Sequence, residues 1–148
     1  MTWRVPLTKY RFMTLISAYA PTLESSDEQK DAFYESLHSV LVAIPKEDKI
    51  ILLGDFNARV GTQAHLWPRV LGRHGMGKMN SNGLRLLSLC SEHNLVITNT
   101  TFQLQNKYKT SWTHPRSKHG HMIDYIITRQ SDQKDAYLTR SIRGAVFN

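Results

Sequence analysis

Apolar and polar positions along the chain repeat at two periods. Residues 2–7 (Thr-Trp-Arg-Val-Pro-Leu) and 11–19 (Arg-Phe-Met-Thr-Leu-Ile-Ser-Ala-Tyr) have the aromatic and β-branched content of strands. The short Thr8-Lys9-Tyr10 link between them predicts a hairpin. Ser25-Ser26-Asp27-Glu28 then places capping residues and early acids before a helix. Phe33, Leu37, Val40, Leu41 and Ile44 follow at helical spacing. Pro45 ends that helix at Ile44, because the residue before a proline avoids helical geometry. Lys49–Gly54 is a short continuous apolar run and predicts a strand buried on both faces. Residues 58–81 are irregular and contain Gly61, Gly72, Gly75 and Gly77; a loop of this length is functional or disordered. Asn82-Gly83 begins a second helix, with Leu84, Leu87 and Cys90 on one stripe. Asn94–Asn99, Lys109–Thr113 and Met122–Thr128 read as further strands, and Arg140–Arg143 begins a last one. Strands alternating with helices make this an α/β chain. Its 148 residues show no internal repeat and no linker, so one domain is expected.

Composition narrows the class. The longest apolar run is five residues, Val40–Ile44, followed by four at Ile50–Leu53, which excludes a membrane-spanning helix. The start lacks the charged-then-apolar layout of a secretory signal. Cys90 is the single cysteine, so there is no internal disulfide framework and no multi-cysteine zinc site. The expected setting is intracellular, and nuclear.

The formal net charge of +7 is unevenly spread. Residues 24–48 hold seven acids against Lys30 and Lys46. Residues 57–123 hold nine basic residues against Glu92, an excess of +8. Such a region attracts polyanions, nucleic acid above all. A basic but inert surface is the alternative. Trp67, Tyr108 and Trp112 lie among these charges. They fit either stacking on bases or packing in the core, and Trp112, in a strand-like stretch, reads as core.

Candidate chemistry centres on Gly54-Asp55-Phe56-Asn57, directly after an apolar strand. Ligands of α/β sheets gather beyond the carboxyl ends of strands. Side chains alternate along an extended chain, so Asp55 and Asn57 face one way while Phe56 packs inward. The carboxylate can orient a water or bind a hard cation, and the amide can hold a phosphate oxygen. A capped turn explains the same residues equally well. Asp124 interrupts an apolar strand, which is costly unless it is paired, with a histidine or arginine for example; an edge strand facing water is the alternative. Tyr19 closes a strand, where tyrosines more often pack than react. The seven histidines match no zinc spacing and read as surface or loop residues.

Taken together, four stretches resemble a known family. Ser17-Ala-Tyr-Ala-Pro21, Leu53-Gly-Asp-Phe-Asn-Ala-Arg-Val-Gly61, Ser111-Trp-Thr-His-Pro115 and Met122-Ile-Asp-Tyr-Ile126 follow the order of the endonuclease/exonuclease/phosphatase family. More narrowly, the chain resembles the apurinic-type endonuclease domain of non-LTR retrotransposons and the craniofacial development protein 2-like branch derived from them. Asn80–Leu87, Thr98-Asn-Thr, His114–Lys118 and Arg140–Ala145 are similar to that branch. The resemblance implies a four-layered α/β sandwich, two sheets flanked by helices, that cleaves phosphodiester bonds with Mg2+. It implies that Asp55 orients or deprotonates the attacking water and serves as a metal ligand. Asn57 and Tyr19 would support the phosphate, and Asp124 would orient a histidine. It implies contacts to nucleic acid, duplex DNA in particular, from Arg59, Arg73, Lys78, Asn82, Trp112, Arg116 and Lys118.

The family's metal-binding glutamate and its Asp-His strand have no counterpart in this sequence. The expectation is therefore an incomplete sandwich, truncated at both ends, with weak or absent DNA nicking. A non-catalytic module that binds nucleic acid or protein is the rival expectation.

Overall fold

A computed structural model of the chain describes residues 1–103, 109–116 and 120–136. Strands β1 (Thr2–Pro6) and β2 (Phe12–Tyr19) form the expected antiparallel hairpin. Helix α1 (Asp27–Ala43) starts at Ser26 with a full capping box, in which Ser26 and Gln29 each satisfy the other's backbone N–H. It stops at Ile44, whose backbone is extended before Pro45. β3 (Lys49–Asp55) returns parallel to β2. Helix α2 (Ser81–Glu92) leads into β4 (Leu95–Ile97). A small hairpin of β5 (Trp112–Thr113) and β6 (Gly120–His121) precedes β7 (Asp124–Arg129). The main sheet has the order β1-β2-β3-β7-β4, and β7 runs antiparallel to both of its neighbours. The fold is therefore mixed α/β, a five-stranded sheet with helices and a two-stranded ribbon. The strand expected at Arg140–Arg143 lies outside the described residues.

Both helices pack on one face of the sheet. Leu37 and Leu41 of α1, and Leu86, Leu87 and Cys90 of α2, share a core with Ile16, Ile50, Leu52, Leu95, Ile97 and Ile127. Two expectations need correction. β3 is not buried on both faces: Ile50 and Leu52 are buried, whereas Ile51 and Leu53 on the opposite face are only partly so. A continuous apolar run does not reveal that one face is open. In α2, Leu87 and Cys90 are buried as expected, but Leu84 is 45% exposed and Leu86 takes its place. The leucine-rich stretch allows either stripe, and α2 starts one residue earlier than read, with Asn80 as its cap.

Residues 58–80 are held in place. Val60, Val70 and Leu71 are buried, and Leu71 bridges to Ile97. Among the described residues, no helix is long and apolar enough to cross a membrane.

An ion pair ties β1 to the start of β3. Arg4 Nε and Nη2 donate to the buried Asp48 carboxylate at 2.8 and 2.9 Å, and Thr14 Oγ1 donates to it at 2.9 Å. The Arg4 hydrogen bonds hold the Asp48 carboxyl below its ordinary value. The folded protein thus binds that proton less tightly than the unfolded chain. The stabilisation is present above the ordinary aspartate value of about 4 and is lost as pH falls through the lowered one. Asp48→Ala orphans the buried Thr14 hydroxyl. We expect it to cost about 1–3 kcal/mol in urea unfolding at neutral pH, with a smaller deficit in acid. An equal deficit at both pH values would contradict this account.

Candidate phosphodiester-cleavage site

The site is built where the open sheet face meets the ends of three strands. Ile50 and Leu52 point toward the helices, so Ile51, Leu53 and Asp55 point the other way. Tyr19 pairs with Asp55 across β2 and β3, and Asp55 pairs with Asp124 across β3 and β7. The three side chains therefore stand in a row on one face. Tyr19 is 75% exposed, so it does not pack in the core.

The turn after β3 aims the next polar group into the same space. Phe56 is fully buried, and its N–H donates to the Ile123 carbonyl at 3.0 Å. The chain then turns at Asn57, which adopts a left-handed φ of 46°, a conformation that asparagine tolerates. The Asn57 N–H donates to Asp55 Oδ1 at 2.9 Å, and Asn57 Nδ2 donates to the Ala20 carbonyl at 2.9 Å. A capped turn and a site are thus one object here. The turn's hydrogen bond fixes the carboxylate, and the side-chain amide keeps a second N–H. Tyr125 braces the turn from beneath, with its hydroxyl 2.7 Å from the Ala58 carbonyl and 2.6 Å from the Met122 carbonyl.

A cleft of about 700 Å³ opens above Tyr19 and Asp55, with Asp124 beside Asp55 outside its lining. Tyr19, Asp55, Asn57, Arg59, Trp112 and His121 line it, together with Glu24, Asn80 and His114. Trp112 is 42% exposed, which corrects its reading as a core residue. Its ring stacks on His121 at 5.6 Å and meets His114 edge-on at 5.6 Å. A two-residue strand on a small ribbon gives it no helix to pack beneath.

The remaining expected residues fall into four groups. Arg59 lines the cleft, and its backbone N–H donates to the Asn80 side chain. Arg116 is exposed beside it, with its N–H donating to His114 Nδ1. Arg73 and Lys78 are exposed on the long loop, and Lys78 borders a separate cavity with Trp67. Asn82 is only 2% exposed, and it fastens α2 to the turn by donating to the Pro21 and Asn57 carbonyls. Burial gives it a positioning role in place of a surface contact. Lys118 lies outside the described residues. Glu24, His114 and His121 are residues that spacing did not single out. Glu24 sits in an acidic stretch that reads as helix flank, and the two histidines sit in loop-like sequence.

Asp124 is half-buried. Burial raises its carboxyl above the ordinary range, and the Asp55 charge adds to this, while a hydrogen bond from Ser111 opposes it. Ser111 Oγ also accepts the Ile123 and Asp124 N–H groups at 2.9 and 3.1 Å, so Ser111 is the partner seen for Asp124 where a histidine or arginine was expected. A carboxyl raised in the folded state contributes most stability in acid, and that contribution is lost as pH rises through the raised value. Asp124→Asn keeps an acceptor for Ser111 and removes the charge. Its melting temperature should exceed wild type at neutral pH and match it near about pH 4. A lower melting temperature at neutral pH would contradict the assignment.

The cleft offers carboxylate oxygens, the donors a hard cation prefers. Asp55 and Glu24 both line the cleft, and the charge of Asp55 already disfavours ionisation of Asp124. Carboxylate oxygens fit Mg2+ better than softer metals.

Known proteins resemble the chain in sequence and in fold. Residues 13–144 match the endonuclease-reverse transcriptase family model. Craniofacial development protein 2 of Bos taurus is 38% identical over 133 residues, covering 90% of this chain and 22% of that protein. Its counterpart in Tragulus javanicus is 37% identical over 133 residues, 90% of this chain and 23% of that one. The endonuclease domain of TRAS1, a telomere-specific non-LTR retrotransposon, superposes with a TM-score of 0.56 at 17% identity. That match covers 86% of this chain and 49% of the other. The 3′ phosphatase NExo from Neisseria, bound to a product DNA hairpin, superposes at 0.57 and 18% identity, over 82% of this chain and 50% of the other. The chain thus spans less than a quarter of the curated relatives and about half of the solved domains. The fold is that of the endonuclease/exonuclease/phosphatase proteins, and the chain belongs to the endonuclease-reverse transcriptase family.

Proposed function

We propose that the chain carries a phosphodiester-hydrolysing site for nucleic acid, duplex DNA in particular, at the row formed by Tyr19, Asp55 and Asp124. The observation behind this reading is that row: three adjacent strands bring the residues side by side, with Tyr19 and Asp55 lining a cleft shared with Asn57, Arg59 and Trp112. Asp55 orients the attacking water and accepts its proton. Asn57 and Tyr19 donate hydrogen bonds to the phosphate, and Arg59 offsets its charge. Trp112 offers an exposed ring for a base. Asp55 and Glu24 are the residues that would hold Mg2+, which supplies neutralisation of the phosphate charge when bound. Glu24 is exposed on a loop, so this pair holds the cation loosely and cleavage by the 148-residue chain is slow.

Binding is tested separately from cleavage. Fluorescence anisotropy on a labelled duplex should show affinity that falls with salt at a log–log slope of about −0.9 per phosphate contacted. Arg59→Ala should make that slope shallower by about one. Trp112→Ala should weaken binding by about 1–3 kcal/mol and leave the slope unchanged. Salt-independent binding, or no binding at low salt, would remove nucleic acid as the substrate. Salt-dependent binding without any turnover would favour a binding module.

A further inference from the structure

Away from the cleft, the two helices bring three metal-ligand side chains together. His38 lies in the last third of α1, while Glu92 ends α2 and His93 caps it. His38 Nδ1 and His93 Nε2 are 2.8 Å apart, and Glu92 Oε1 is 3.7 Å from His38 Nδ1. One ligand atom from each of the three lies within 4.8 Å of the other two. Glu35, one turn before His38, lines the same interhelical groove and adds negative charge. The C-terminal end of α2 carries the negative end of its helix dipole, which also favours a cation.

We propose that His38, Glu92 and His93 form a zinc site clamping the end of α2 to α1. Two imidazoles and one carboxylate make a nitrogen-rich set that suits Zn2+, whereas Mg2+ prefers oxygen donors. The two imidazole nitrogens stand near the spacing of a ligated pair, and Glu92 lies within reach of both. Around a tetrahedral zinc with Zn–N of about 2.0–2.1 Å, two nitrogens stand about 3.3 Å apart. Parting the His38–His93 contact by about 0.5 Å would admit the ion, a shift within reach of half-exposed side chains. Three protein ligands leave the fourth position to water. The ion replaces a hydrogen bond between rings contributed from positions 55 residues apart in sequence. The site shares no residue with the Asp55 cleft, so the two metal preferences are separable.

The test is calorimetric titration of the full 148-residue chain with zinc chloride in chelator-free buffer, paired with Co2+ absorption spectra and melting curves. One equivalent of zinc should bind and raise the melting temperature, and Co2+ should show a tetrahedral spectrum. His38→Ala and His93→Ala should each weaken binding by at least about tenfold, and the double variant should abolish it. Glu92→Gln, at an exposed position that keeps the fold, should weaken binding in the same direction. His65→Ala and Asp55→Asn should leave it unchanged, and excess Mg2+ should not compete. Absence of saturable zinc binding by the folded chain would overturn the proposal. So would binding that survives in the folded double variant.

Discussion

Asp55→Asn is expected to lower Mg2+-dependent cleavage by about 10²–10⁴-fold while leaving the fold and duplex binding intact. The substitution keeps an oxygen to accept the Asn57 N–H, so the turn survives. What it removes is the charge and basicity of the group that faces the cleft. Circular dichroism and melting curves should match wild type or exceed it slightly, because the Asp55 charge is one of the two causes that raise Asp124. Asn57→Ala would be a poorer probe: it frees the Ala20 carbonyl and places alanine at a left-handed φ. A loss of cleavage there would confound catalysis with strain. With Asp55→Asn, a parallel loss of folding would show that the carboxylate is structural.

The largest effect on stability is expected at Gly54→Ala. Gly54 pairs with Ala18 in the parallel β2–β3 ladder at a φ of 149°, within the range that side chains rarely adopt. A Cβ there would lie 1.8 Å from the Ala18 carbonyl oxygen and 2.8 Å from its carbon. Backbone, unlike a flexible side-chain tip, cannot swing aside, so β2 and β3 must part. Backbone strain and overpacking together should cost about 3 kcal/mol or more. That would lower the melting temperature by about 6–12 °C for a chain of this size. Because Tyr19 and Asp55 are neighbours across the same two strands, cleavage should fall as well. A stability within about 0.5 kcal/mol of wild type would show that the strands are not so closely apposed.

Local signals in the sequence were readable where one residue decides one conformation. Ser26 before early acids, and Ile44 before Pro45, mark both ends of α1 through backbone chemistry that needs no distant partner. Gly54-Asp55-Phe56-Asn57 after an apolar run marks a turn whose inward and outward residues alternate as expected. What depends on a distant neighbour was not readable. Ile51 and Leu53 resemble Ile50 and Leu52 in sequence and differ only in which face the helices cover. Leu84 and Leu86 compete for the buried stripe, and packing against β4 decides. Trp112 suits a core or a platform until the ribbon that carries it is seen. Glu24 enters the cleft because the loop before α1 folds past Tyr19, and no spacing rule reports that. His38 and His93 meet only because two helices lie together on the sheet.

The central claim is that the row formed by Tyr19, Asp55 and Asp124 hydrolyses phosphodiester bonds. The most direct measurement is nicking of supercoiled plasmid by the purified chain, with Mg2+ and with a chelator, beside Asp55→Asn prepared identically. The account predicts slow conversion to open circles that requires Mg2+ and disappears in Asp55→Asn. Nicking that persists in Asp55→Asn, or no nicking by wild-type protein that binds the plasmid in Mg2+, would contradict it.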